Sequence, residues 1–200
     1  MHHKLAEKIK NDLTGFTLIE LIVSISIITM VTALFMANYK SANQNAVLNA
    51  AADKLAGDLR LMQSYALGAK KLQNDTVPAG GWCINFFSPK TSYILFSDIN
   101  GDSDYDNGEK FKDVVLTSQL EIKGGAANGR FEIFLPAGGQ QNRNQMDICY
   151  QPPDPAVSFV GYTGGALITG GIASAIVVRN NSTGKEKKIL LNSFGLIDVE

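Results

Sequence analysis

The segment from Asp98 to Glu109 concentrates the side chains of this chain that are best suited to hold a cation. Carboxylate or amide groups occupy every second position and are followed by a glutamate: Asp98, Asn100, Asp102, Asp104, Asp106 and Glu109. Ca²⁺ prefers hard oxygen ligands, and an EF-hand loop supplies them at alternating positions with a distal bidentate glutamate. The spacing therefore predicts a candidate Ca²⁺ site whose ligands are Asp98, Asn100, Asp102, Asp104 and Glu109.

The same segment has a second interpretation, as a loop that only turns the chain. Asp and Asn form local Asx turns, so they are common in connections between strands. Ser103 occupies the sharp-turn position at which an EF-hand has glycine, and the flanking residues have strand patterns where an EF-hand has helices. Both interpretations, a calcium site and a turn-forming loop, fit the sequence.

An apolar segment from Phe16 to Tyr39 lies near the N-terminus and carries a single charge, Glu20, with neither proline nor glycine. As a helix it would extend about 36 Å, which is enough to cross roughly 30 Å of hydrocarbon. An acidic group inside a bilayer costs about 2.5–3.5 kcal/mol on insertion scales and is usually functional. In this interpretation Glu20 has no partner on its own helix within four residues, so we expect some group to neutralise its charge.

The helical pattern continues from Lys40 to Lys71, where there is no proline. Apolar residues recur there at three- and four-residue steps: Val47, Ala51, Leu55, Leu59, Met62 and Ala66. This stripe predicts an amphipathic helix with one face to be covered. Residues 16–39 and 40–72 are therefore expected to form two halves of one long helix, with Gly68 marking its fraying end.

Short apolar segments separated by polar and glycine-rich clusters follow the helix. Trp82 to Phe87 and Ser92 to Ser97 flank a hairpin turn at Ser88-Pro89-Lys90. Further strands are expected at Val114 to Leu116, Leu120 to Ile122, Phe131 to Leu135, Met146 to Tyr150, Ala175 to Arg179, Lys187 to Leu191 and Leu196 to Val199. The stretch from Tyr150 to Gly171 is either a long loop or an edge hairpin from Val157 to Ile168. The predicted fold class is α+β, a long N-terminal helix packed against an antiparallel β-sheet in residues 73–200.

The N-terminal residues resemble the class III signal of type IV prepilins and type II secretion pseudopilins. Gly15-Phe16-Thr17-Leu18-Ile19-Glu20 lies behind a short charged leader, residues 1–15, and ahead of the apolar segment. The resemblance implies that a prepilin peptidase cuts between Gly15 and Phe16 and methylates the new N-terminus. It also implies that Glu20 pairs with the N-terminal amine of a neighbouring subunit during filament assembly.

The leader and the membrane-length helix together predict an orientation. Three lysines, Lys4, Lys8 and Lys10, exceed the two acidic residues of the leader, and a positive excess favours the cytoplasmic side. The resemblance therefore implies a single pass through the inner membrane, with the globular part outside the cytoplasm, in the periplasm or on a surface filament. The formal net charge of −1 does not indicate a nucleic-acid-binding protein.

The globular part resembles the minor pilins that include the H-type pseudopilin of type II secretion. The similar residues are Trp82 before a strand, Phe96 to Asp102 with Asn107-Gly108-Glu109 after it, and Asn192-Ser193-Phe194-Gly195. This resemblance implies a low-copy subunit near the tip, or in the initiation complex, of a type II secretion pseudopilus or type IV pilus. Its partners would be other pilins or pseudopilins and the inner-membrane assembly platform.

Alternatives to this function are a tip-displayed module for adhesion, cargo or DNA contact, and a major pilin. Some type IV pilus members of the group it resembles bind DNA through an arginine-rich C-terminal loop. Here Leu196 and Ile197 follow Gly195, so the resemblance does not favour DNA contact.

The two cysteines, Cys83 and Cys149, both lie in expected strands. A globular part outside the cytoplasm would allow them to form a lasting disulfide. The alternative is two buried thiols, because free cysteine packs like a small apolar residue.

An enzymatic function is not expected. The only histidines, His2 and His3, lie in the leader that the proposed cleavage removes. A mature chain without histidine cannot form a Ser-His-Asp or Cys-His site, and no zinc-ligand spacing is recognisable.

Overall fold

The computed structural model describes residues 15–135, 140–152, 157–163, 166–168 and 171–200. Apart from Gly15, the predicted leader (residues 1–15) lies outside the described residues. The chain divides into two compact units, Met1–Asn43 and Gln44–Glu200. The first unit contains the N-terminal part of helix α1, and the second contains the rest of α1 and all the strands.

Helix α1 spans Leu18–Leu67 and confirms the prediction of one long N-terminal helix. By length and composition it can cross a membrane. Its large apolar side chains before Lys40 are exposed, among them Leu34 at 60%, and Phe16, just ahead of the helix, is 79% exposed. In the second unit its buried face follows the helical period: Leu48, Ala51, Ala52, Leu55, Ala56, Leu59, Met62 and Ala66. The amphipathic stripe expected from the sequence is therefore present.

The helix ends before residue 72, the expected boundary. The amide of Lys70 donates to the carbonyl of Tyr65 (2.9 Å), and that of Ala69 donates to Ala66 (3.0 Å). Ala69 has φ of 43°, a left-handed conformation. These bonds form a Schellman motif, which satisfies the last helical carbonyls and reverses the chain. The sequence signal is weak because the left-handed position holds alanine, next to Gly68.

The strands of the second unit run as β1 (Gly81–Phe87), β2 (Ser92–Asp98), β3 (Lys110–Val115), β4 (Leu120–Gly124), β5 (Phe131–Phe134), β6 (Gln140–Arg143), β7 (Gln145–Tyr150), β8 (Val157–Thr163), β9 (Ala166–Ile168), β10 (Ala173–Asn180), β11 (Glu186–Asn192) and β12 (Ile197–Val199). The expected hairpin β1–β2 is present, and β10 and β11 form a second antiparallel hairpin. β8 pairs with β9, so the edge-hairpin interpretation is confirmed. β6 was not expected from the sequence, because its residues, Gln140–Arg143, are all polar.

The strands form two antiparallel sheets, not the single sheet expected. Sheet A has the order β3-β2-β1-β7-β8-β9, and sheet B has the order β12-β11-β10-β5-β6, with β4 also paired to β10. Side-chain alternation predicts which residues face a core, but it does not predict which strands pair. An isolated bridge between Lys90 and Ile122 links the β1–β2 turn to β4.

One large core joins the part of α1 that lies in the second unit to both sheets. Trp82, Ile84 and Phe86 of β1 point into it. The alternate residues of β1 point to the other face of sheet A, where Cys83, Phe96 and Cys149 form a second cluster that Tyr105 covers. The loop between β2 and β3, which contains the acidic segment, thus lies over the outer face of sheet A.

Candidate functional site

The first candidate site is the start of α1. Gly15, Phe16 and Thr17 precede the helix and are exposed. The Thr17 amide and hydroxyl donate to Glu20 Oε2 at 3.3 and 3.1 Å, and the Glu20 amide donates to Thr17 Oγ1 at 3.3 Å. This reciprocal pattern is a capping box, which satisfies backbone donors at a helix start.

Glu20 therefore has a partner on its own helix, contrary to the expectation from sequence. The missed signal is the spacing of a threonine three residues before a glutamate, which is typical of a capping box. Thr17 solvates the carboxylate but does not neutralise its charge. The neighbouring side chains Leu18, Ile19 and Leu21 are exposed and apolar, so Glu20 is a single negative group on a large apolar surface.

The second candidate site is the acidic loop between Asp98 and Glu109. Asp98 is fully buried at the end of β2. Its Oδ1 accepts the Gly101 amide at 2.7 Å, and its Oδ2 accepts the Ser103 amide at 2.8 Å. Burial raises the pKa of Asp98, while these backbone donors oppose the rise. The carboxylate fits because Gly80 has no Cβ, which would overlap it.

Glu109 closes the other end of the loop. It is 5% exposed, and its two oxygens accept the amides of Ile99 (2.8 Å) and Asp106 (3.1 Å). Ser103 has φ of 63°, so it adopts the left-handed conformation that glycine favours at this position of an EF-hand. The two terminal carboxylates thus fix the backbone of the loop.

The remaining predicted ligands separate into two groups. The Asn100 amide donates to Asp102 (2.9 Å) and to Asp106 (3.2 Å), so these three side chains converge on the exposed side. Asp104 instead accepts a long hydrogen bond from Gln145 (3.4 Å). Asn100, Asp102 and Asp106 are therefore the side chains that would hold Ca²⁺ here, and Asp106 was not among the predicted ligands. Calcium binding stays a prediction.

Asp104 points toward a buried carboxylate that was not among the predicted site residues, Asp147 of β7. Asp147 is fully buried and accepts the Asn85 amide at 2.5 Å. Burial raises the pKa of Asp147 well above its usual range, and the negative charge of Asp104 adds to the rise. Asn85 and Asp147 are opposite each other in the β1–β7 register. The only sequence signal is a polar residue inside an otherwise apolar strand.

A disulfide joins Cys83 of β1 to Cys149 of β7, which are also opposite each other in register. This confirms the expected bond. The sulfurs and a carboxylate oxygen of Asp98 lie within 4.8 Å of one another. The bond between the sulfurs leaves no thiolate, so this cluster is not a metal site in the oxidised chain.

No model of a known protein family matches the sequence, and no curated protein matches it. No solved structure matches the chain either. The proposals for this chain thus rest on its own residues and their geometry.

Proposed function

We propose that this chain is a minor, pilin-like structural subunit that assembles through its N-terminal helix into a type II secretion pseudopilus or a type IV pilus. Assembly follows removal of residues 1–15 by a prepilin peptidase. The observation that carries the proposal is the apolar surface of residues 16–39, which is exposed and interrupted by one charge, Glu20.

An apolar surface of this length needs a cover. Each exposed large side chain costs roughly 1.5–3 kcal/mol in water relative to a buried one, and the segment has many, among them Ile22, Ile28 and Phe35. Lipid covers it before assembly, and helices of neighbouring subunits cover it in a filament. The capping box with Thr17 accounts for the hydrogen bonds of Glu20 but leaves its charge uncompensated, and an uncompensated charge inside lipid is costly.

The region around Gly15 fits the proposed processing. The bond between Gly15 and Phe16 precedes the first helical residue, Leu18, and both residues are exposed. Cleavage there creates an amine at Phe16. Inside an apolar assembly, that amine and Glu20 of a neighbouring subunit compensate each other's charge, which is costly for either group alone.

The disulfide supports a location of the second unit outside the cytoplasm, because disulfides persist in oxidising compartments. The low-copy position near the tip or in the initiation complex rests on the resemblance of the globular part. Sheared filaments test it, because a major subunit dominates their mass and a minor subunit is a trace component.

The experiment replaces Glu20 in cells that express the other filament proteins. Glu20→Gln keeps an oxygen that can accept from Thr17 but removes the charge. We expect this variant to be processed, with the N-terminus at Phe16 by mass, and to be absent from sheared filaments. Ser24→Ala is the matched control: Ser24 is an exposed polar residue of the same segment, bonded to the Glu20 carbonyl at 2.7 Å. We expect it to assemble normally.

Two results would contradict the proposal. One is Glu20→Gln present in filaments at the level of the unaltered chain, which would show that charge pairing is not required. The other is a native protein that keeps residues 1–15 and stays a single membrane-anchored monomer.

A further inference from the structure

Three aromatic rings surround the ammonium group of Lys70 just after α1. Its Nζ lies 3.3 Å from the ring centroid of Tyr65, 5.0 Å from that of Phe111 and 5.2 Å from that of Trp82. The rings meet edge to face, with centroids 5.1 to 6.0 Å apart. Ring faces carry negative electrostatic potential and attract cations within about 6 Å of the centroid. The three side chains, which we call the aromatic cage, therefore converge on one cation.

Ring faces, not carboxylates, hold this cation in the part of the chain that the structure describes. Among the described residues, no carboxylate pairs with Lys70, whereas the nearby Lys71 pairs with Asp75 at 2.9 Å and Lys110 pairs with Asp113 at 2.8 Å. A lysine ammonium is compact and strongly hydrated. Lys70 therefore gives up part of its hydration for ring contacts without the gain of an ion pair.

The cage is built independently of the Lys70 side chain. Tyr65 lies in the last turn of α1, and Trp82 lies in β1 and is 1% exposed. The indole of Trp82 donates to the Lys70 carbonyl at 3.2 Å, and the Lys70 amide donates to Tyr65. These bonds involve the Lys70 backbone only. Its side chain can therefore leave while the rings keep their places.

There is room for a ligand beside the cage. A cavity of about 480 Å³ is lined by Lys70, Trp82 and Phe111, and Glu109 is also among its lining residues. Phe111 lies on β3, the edge strand of sheet A, and is 45% exposed. One wall of the cage is thus open to solvent.

We infer that Tyr65, Trp82 and Phe111 form a binding site for a quaternary or methylated ammonium group, and that Lys70 occupies this site in the free chain. Aromatic cages recognise such groups. A methylated ammonium is less strongly hydrated than a primary one, so it loses less water on entry. Lys70 regains its water on leaving. The inference is independent of filament assembly, because every residue involved lies in the second unit.

The test uses tetramethylammonium chloride at constant ionic strength, with the full chain in a detergent that has no quaternary ammonium. Trp82 is the only tryptophan, so its fluorescence reports directly on the cage. Lys70→Ala empties the site. We expect tetramethylammonium to cause a saturable change in the Trp82 fluorescence of this variant, with a half-saturating concentration at least about tenfold lower than that of the unaltered chain. Lys71→Ala is the matched control, and it should respond like the unaltered chain.

A second substitution tests whether the aromatic face is responsible. In the Lys70→Ala background, Phe111→Leu keeps an apolar side chain but removes the ring, and we expect the saturable change to be lost. Tyr65→Leu in the same background should have the same effect, and it provides the test if Phe111→Leu disturbs the edge strand. The inference is overturned if Lys70→Ala responds no more strongly than Lys71→Ala, which would leave Lys70 with the role of closing the helix end. It is also overturned if both leucine variants bind as well as Lys70→Ala alone.

Discussion

The disulfide between Cys83 and Cys149 should supply a large part of the stability of the second unit. The cysteines are 66 residues apart, and the loop-closure relation gives about 4 kcal/mol at 25 °C for a cross-link of that length. Both cysteines are fully buried on paired central strands. The pairing of β1 with β7 holds the two residues opposite each other without the bond, and the loop-closure relation assigns the loss on reduction to the unfolded chain. We expect the free energy of unfolding to fall by about 4 kcal/mol on reduction.

Urea unfolding of the oxidised and the reduced chain measures this difference, with Trp82 fluorescence as the signal. Trp82 is next to Cys83 and is 1% exposed, so its emission shifts when the unit unfolds. The dependence of the unfolding free energy on urea should also steepen on reduction, because an unfolded chain without the cross-link exposes more surface.

The double variant Cys83→Ala/Cys149→Ala separates the cross-link from the reductant. The chain has no other cysteine, so reductant should not change the stability of this variant. It should be at least as unstable as the reduced chain, because it also loses the packing of both sulfurs. A difference below about 1 kcal/mol between the oxidised and reduced chains would refute the loop-entropy reasoning.

Two further predictions concern the acidic residues over sheet A. Because burial and Asp104 raise the pKa of Asp147, the folded chain holds a proton that the unfolded chain releases near pH 4. Stability should therefore fall as pH rises from about 4 toward the raised pKa. In Asp147→Asn the urea midpoint, measured at several pH values, should fall less steeply with pH than in the unaltered chain. An equal slope in both proteins would contradict the assignment of this pH dependence to Asp147. Millimolar Ca²⁺ should raise the melting temperature of the unaltered chain and of Asp113→Ala, a control outside the loop, but not that of Asp102→Ala. An unaltered chain that does not respond would exclude the calcium site.

Much of the fold could be predicted from local pattern. The helical period from Phe16 to Ala66, and its change to short apolar segments after Gly81, correctly placed α1 and most strands. The helix ends at Leu67, directly before Gly68, the residue expected to mark its fraying end, and the residue in the left-handed conformation is the neighbouring Ala69. The division into two sheets was missed because alternation encodes which face of a strand is buried but not its neighbours.

The candidate sites, too, were predictable in part from local pattern and in part only from the tertiary structure. The alternating acids from Asp98 to Asp106 were visible, but their separation was not: Asn100, Asp102 and Asp106 meet at the surface, while Asp104 points toward Asp147. Pairing of β1 with β7 places Asn85 opposite Asp147. That contact depends on strands far apart in the chain, so no local spacing could have indicated it.

By itself the sequence determined the long N-terminal helix, its exposed apolar segment with one carboxylate at Glu20, and the two cysteines. The capping box of Thr17 and Glu20 is also a local signal, in the three-residue spacing of the two side chains. Only the tertiary structure decided that Asp147 is buried beside Asp104, and that Tyr65, Trp82 and Phe111 meet around Lys70. The physical reason is range. Helical and strand periods reflect interactions between residues a few positions apart, whereas the cage and the buried carboxylates form only when distant segments overcome the entropy of loop closure and pack together.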